Sequence, residues 1–277
     1  MDAESPPPDP PNPPDLLNLP GLPGPTDPPD LPDHPFRAPV RSTTPTMSER
    51  LVAGVEVLLC SDYPTQFALA GTFAALGFRP QDADGARNIG CGAALTRADT
   101  VLLGGLMIAV LRAHGESPRD VFLGRRPILG ELRAGVPMTF VAFAIAAVVL
   151  LTVRTVAPWL RTVEHNPLQD LMRTPADTAL FALVVIVGGG VREELQRAFL
   201  LGRFERWLGG PTVGIVVASA AFGIGHLMQG ADAAVATGLL GAFWATTYIR
   251  RRSVVAPMVS HAGFDLLQVL QFVVLGR

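Results

Sequence analysis

The sequence predicts an all-α, polytopic membrane protein, with about seven transmembrane helices (roughly six to eight) behind a disordered, Pro-rich N-terminal tail. Three observations carry that expectation. Of 277 residues, 49% are hydrophobic and 17% are charged, whereas a soluble domain carries about a quarter charged residues, and the mean hydropathy is +0.35. From Leu51 onward, apolar runs alternate with short loops that bear arginine. Ahead of them, 16 of the 26 prolines fall between Pro6 and Pro45.

The same composition excludes several functions. A net charge of −2 gives no basic surface for nucleic acid. Every basic residue is arginine, so Schiff-base or lysine-nucleophile chemistry is ruled out. Two cysteines, Cys60 and Cys91, are too few for a disulfide framework or a cysteine zinc cluster.

Residues 1–46 mix proline with Asp, Gly, Asn and Thr, a segment that buries too little apolar surface to offset its ordering entropy. It is read as a solvated extension or a partner-binding tail, and it lacks the basic and apolar regions of a signal peptide. Residues 47–173 form a first group of membrane helices and residues 174–277 a second.

The apolar runs are 51–78, 98–113, 134–153, 177–202, 211–231, 233–249 and 254–274. The first holds Glu56, Asp62 and Pro64 and is expected to break near its middle. Arginines concentrate in the alternate loops 112–133, 203–210 and 250–252, which the positive-inside rule places in the cytoplasm together with the N-terminus. Leu201–Trp207 reads as an amphipathic, solvated helix end, and Arg250-Arg251-Arg252 as a topology anchor, with anionic headgroups as the lesser role.

Charges inside apolar runs are the informative residues, because at membrane depth they normally face a cavity or each other. Val191-Arg192-Glu193-Glu194-Leu195-Gln196-Arg197 puts four of them after an uncharged stretch. Arg197 is four residues from Glu193 and three from Glu194, so either pair can form on a helix. Gly188-Gly189-Gly190, just upstream, allows a bend or the close approach of a neighbour. Phe222-x-x-x-His226 adds an imidazole flanked by Gly223 and Gly225, and His261-x-x-x-Asp265 places two polar groups on one helix face. Taken singly, these are equally well an interfacial helix end, a hydrogen-bonded core histidine and a structural His–Asp pair. Together they supply a base, imidazoles and an acid in a low-dielectric cavity, the requirements of hydrolysis.

The order Glu193-Glu194-x-x-x-Arg197, Phe222-x-x-x-His226, His261-x-x-x-Asp265 resembles the CPBP family of intramembrane proteases, also called the CAAX protease and bacteriocin-processing (Abi) family. The resemblance covers roughly residues 175–275. It implies a membrane endopeptidase whose eukaryotic members remove three residues from prenylated CaaX proteins, while bacterial members act in bacteriocin maturation and self-immunity or on unknown substrates. By that resemblance, Glu193 is the general base that activates water, assisted by His226. His261 and Asp265 line the oxyanion side, and Glu194 and Arg197 complete the first motif. The third motif often ends in asparagine. An ionised Asp265 cannot donate to an oxyanion, so it acts protonated, orients His261 or helps hold a metal.

Glu193, His226 and His261 could supply three protein ligands to a catalytic zinc; the metal-independent, glutamate-type reading is preferred. The function expected is hydrolysis of a peptide bond in a membrane-anchored or prenylated, CaaX-like peptide. The alternative is a non-catalytic membrane scaffold or bacteriocin self-immunity factor of the same family. The expected partners are membrane lipids and a lipidated or membrane-bound peptide, and the expected location is a bacterial plasma membrane.

Overall fold

The computed structural model describes residues 44–81, 85 and 87–276. The Pro-rich tail expected over 1–46, and its partner-binding role, lie outside the described residues except for residues 44–46. Among the described residues there is no strand, only an isolated bridge between Gln81 and Arg87. The all-α expectation holds.

The first apolar run breaks where its polar residues stand. Helix α1 (Met47–Leu59) opens with a capping box between Thr46 and Glu49, which satisfies two otherwise unpaired backbone donors. The chain turns at Asp62, whose φ is 80°, and α2 (Tyr63–Ala75) starts with Pro64 in its first turn. Helix α3 (Ile89–Ala113) begins well before the apolar run at 98, with Asn88 accepting from the Cys91 amide. A short α4 (Pro118–Phe122) leads into α5 (Ile128–Val156). Helix α6 (Pro175–Val185) continues through π-helical turns over Ile186–Glu193 into α7 (Glu194–Trp207). Then come α8 (Pro211–Gly225), α9 (Ala231–Arg251) and α10 (Val255–Leu275).

By length and composition, α3, α5 and α10 suffice to cross a membrane, and α8 is apolar but shorter. Their outward faces carry large exposed apolar residues such as Val101, Phe140, Val148 and Val274, as a lipid-facing surface requires. Helix α8 stops at Gly225, not within an apolar span to 231. His226 caps its end, and a 3-10 turn follows over Leu227–Gln229.

Small residues let the helices close on each other. A Cβ on Gly135 of α5 would come within 2.5 Å of Val259 of α10, and one on Gly223 of α8 within 2.7 Å of the Ala234 carbonyl of α9. Ala142, Ala146, Leu240, Trp244 and Phe264 form a buried core among α5, α9 and α10. The described helices form one compact unit.

The three arginine-rich loops meet at one end of that body. Tyr248 Oη donates to the Val121 carbonyl at 2.9 Å, and Val254 N to Phe122 O at 2.8 Å. Arg251 grips Glu131 through two 2.8 Å bonds, and Arg252 binds Glu205 at 2.5 and 2.6 Å. These arginines are paired within the protein, which their reading as anchors did not anticipate. Arg203 corrects the reading of 201–207 as a solvated surface. It is 1% exposed, pairs with Glu56 at 2.9 Å and with Glu116, and lies against the rings of Phe199 and Trp207.

Candidate active site

The site is built where one helix changes its winding. Thr174 and Asp177 cap α6 reciprocally. The α-helical ladder then widens to π turns over Ile186–Glu193, which contain Gly188, Gly189 and Gly190. Such π segments recur at functional sites. The glycines admit α10 at close range. A Cβ on Gly189 would fall on Asp265 Oδ2 and 3.6 Å from His261 Nε2, and one on Gly190 would come within 2.6 Å of Ala262 Cβ. The first and third motifs are thus brought face to face.

The two adjacent glutamates differ in their surroundings. Glu194 is 1% exposed, pairs with Arg197 and accepts a 2.8 Å bond from His261 Nδ1. The Arg197 guanidinium also lies 4.7 Å from the Phe222 ring centroid and 5.6 Å from that of Trp244. Of the two pairings open in the sequence, Glu194–Arg197 is the one that forms. Glu193 turns instead to Arg192, at 3.3 Å, and its side chain keeps 17% exposure. Its Oε2 lies 3.8 Å from His261 Nε2.

His261 is fixed on two sides. Its ring stacks on Trp244 with centroids 3.8 Å apart and a 17° tilt, and Trp244 Nε1 donates to Ser260 Oγ at 3.1 Å. With Nδ1 bonded to Glu194, the ring presents Nε2 to Glu193 and to Asp265, whose Oδ2 is also 3.8 Å away. Glu194, not Asp265, therefore orients His261 through Nδ1. At that separation neither carboxylate is in direct hydrogen bond with the imidazole.

His226 stands apart from this cluster. Its Nδ1 donates to the Phe222 carbonyl at 2.8 Å. The Phe222 ring touches both imidazoles edge-on, His226 at 4.7 Å and His261 at 6.0 Å. Among the described residues, no ion pair joins His226 to Glu193. Nor do three His, Cys, Asp or Glu side chains gather there as metal ligands. Among the described residues, Glu193, His226 and His261 are not gathered as the three-ligand set that a catalytic zinc requires.

The sequence placed Arg192 among four charges without giving it a role, and Asp99 was not singled out. In the fold, Arg192 Nη1 lies 2.5 Å from both Asp62 Oδ1 and Asp99 Oδ2. These residues lie in three different apolar runs of the chain, so no spacing could have announced the cluster. The intramembrane acidic residues Asp62 and Asp99 were the only available signal.

Fold and site together define a helical, integral membrane protein with paired carboxylates and an oriented imidazole buried among its helices. Residues 175–267 match the family model described as type II CAAX prenyl endopeptidase Rce1-like. The match falls on the third of the chain that holds all three motifs and bears out their resemblance to the CAAX proteases. No curated protein and no solved structure matches the chain.

Proposed function

We propose that this chain is an intramembrane endopeptidase that hydrolyses a peptide bond in a membrane-anchored or prenylated, CaaX-like peptide, with Glu193 activating the water. One observation carries the reading. His261 is held by Glu194 and Trp244 so that Nε2 faces the partly exposed carboxylates of Glu193 and Asp265, each 3.8 Å away.

In this reading a water bound between Glu193 and His261 gives its proton to the Glu193 carboxylate as its oxygen attacks the scissile carbonyl. The carbonyl π electrons pass to oxygen, and the imidazolium form of His261 stabilises that oxyanion from Nε2–H. When the intermediate collapses, the C–N bond breaks and Glu193 returns the proton to the leaving amine. Glu194 and Arg197 hold the imidazole. His226, bonded through Nδ1 to the Phe222 carbonyl, assists at the same site without direct contact with Glu193. The reaction as written uses only these side chains and water. We also propose a bacterial plasma membrane location with the N-terminus cytoplasmic; the gathering of the arginine-rich loops at one end speaks for the orientation.

The test is peptide cleavage by the purified full chain in liposomes, wild type against Glu193→Gln. Prenylated CaaX peptides and a mixed pool of hydrophobic peptides serve as substrates. Cleavage by the wild type alone supports the proposal. A folded wild type that cuts neither set sinks it in favour of the scaffold or immunity role.

A further inference from the structure

Glu193 is the candidate base, yet on its own helix nothing fixes it. It is the last residue of the π turns, its carboxylate lies 3.8 Å from the nearest imidazole nitrogen, and Arg197 is taken by Glu194. Among the described residues, the charged group in bonding range is the Arg192 guanidinium, with Nη2 3.3 Å from Glu193 Oε1. Arg192 is 8% exposed. Adjacent side chains on a helix diverge, so the other partners of a long arginine decide which way its guanidinium turns.

Two aspartates from outside the family-matched segment do this. Asp62 stands at the start of α2, on the positive-φ turn that breaks the first apolar run. Asp99, 1% exposed, comes from the middle of α3. Both reach Nη1 at 2.5 Å, which leaves Nη2 for Glu193. Breaking up charges buried this deeply is costly, although Asp99 Oδ1 and Arg192 Nε have no hydrogen-bond partner among the described residues. Here one cation bridges three carboxylates, two of them fixed and the third in the site. Gln196 Nε2, which donates to Cys60 O at 2.9 Å, adds a second tie between the α1–α2 turn and the catalytic helix.

We infer that Arg192 is a positioning residue for Glu193, aimed by Asp62 and Asp99, so that the helices before residue 175 complete the site. The inference rests on the role proposed for Glu193. It predicts that the segment matched by the family model is not a self-sufficient catalytic unit: its base is aimed from α2 and α3.

The experiment uses the full chain with Arg192→Gln, Asp99→Asn, Arg192→Lys and the double variant Arg192→Gln/Asp99→Asn. The double variant keeps the cluster's net charge and guards against misfolding of the single ones. Peptide cleavage is read as kcat against KM. Infrared spectra of 13C-glutamate-labelled protein identify the Glu193 carboxylate band as the one lost in Glu193→Gln. The expected result for the folded double variant is a kcat about 100-fold lower with KM little changed, as for a misplaced reacting group, and a shifted Glu193 band. Arg192→Lys should recover part of kcat, since it keeps the charge but not the fork. Wild-type kcat and an unmoved band in the folded double variant, with Glu193→Gln inactive, would overturn the positioning role alone. If Glu193→Gln cleaves like wild type, or wild type cuts nothing, the protease reading falls. The band then decides positioning by itself, and an unmoved band overturns it.

Discussion

Glu193 and Glu194 are neighbours in sequence, yet replacing each with glutamine should have opposite consequences. Glu194 is buried with two charged or polar partners, the Arg197 guanidinium and His261 Nδ1 at 2.8 Å. Glutamine there leaves a buried arginine without its counter-charge, and breaking such a pair costs about 3–5 kcal/mol. Glu193 has longer contacts, at 3.3 and 3.8 Å, and a side chain still 17% exposed. Losing its charge should cost about 0–1 kcal/mol, as for a weak, partly solvated pair. At about 2–4 °C per kcal/mol for a chain of this size, Glu194→Gln should lower the unfolding midpoint by about 6–20 °C. Glu193→Gln should lower it by no more than about 4 °C on the same scale. The assay is thermal unfolding of both variants in one detergent, followed by tryptophan fluorescence, since Trp244 stacks directly on His261. Cleavage is measured on the same samples below the lower midpoint. Glu193→Gln should be folded and inactive, and Glu194→Gln destabilised first. Equal destabilisation by the two substitutions would refute the division into a catalytic and a structural glutamate. So would a Glu193→Gln variant that is unstable while Glu194→Gln is not.

Three further outcomes follow from the same geometry. Gly190→Ala should destabilise by about 1–3 kcal/mol, because its Cβ would meet Ala262 Cβ at 2.6 Å and the α10 backbone within 3.3 Å; Gly105→Ala in α3, with nothing within 4 Å, should be neutral or stabilise by up to about 1 kcal/mol, and paired unfolding curves check both. Asp265→Asn should leave the fold intact and keep or raise kcat, since it removes a negative charge 3.8 Å from the nitrogen that faces the oxyanion; an inactive but folded variant in the peptide assay would show that the carboxylate itself is needed. Treatment with EDTA or phenanthroline should leave cleavage intact, and loss of activity restored by added zinc would assign a metal role to these side chains after all.

Much of this protein could be read from its residues in order. Apolar runs set where helices form, because no backbone group can go unpaired in hydrocarbon, and each of the seven runs carries helix, although the first breaks between Leu59 and Tyr63 and the fifth ends its α-helix at Gly225. Asp62 and Pro64 announced the break between α1 and α2, and the triple glycine announced a close approach. The six candidate site residues were visible as ionisable groups where burial of charge is expensive. What these signals lacked was direction. A spacing of three or four residues made Glu193–Arg197 and Glu194–Arg197 equally good on a regular helix; in the fold Arg197 pairs with Glu194 while Glu193 meets Arg192. His226, expected to assist Glu193, instead ends α8 at its C-cap and bonds the Phe222 carbonyl.

The sequence by itself determined the chemistry available: carboxylates, imidazoles and arginines in apolar helices, and a helical fold to carry them. The tertiary structure decided which of them meet. Arg192, Asp62 and Asp99 lie up to 130 residues apart, and only the packing of α2 and α3 against the π turns joins them. The physical reason is the reach of each signal. Helix formation depends on residues within one or two turns, whereas pairing a buried charge depends on whatever segment of the chain the fold delivers to it.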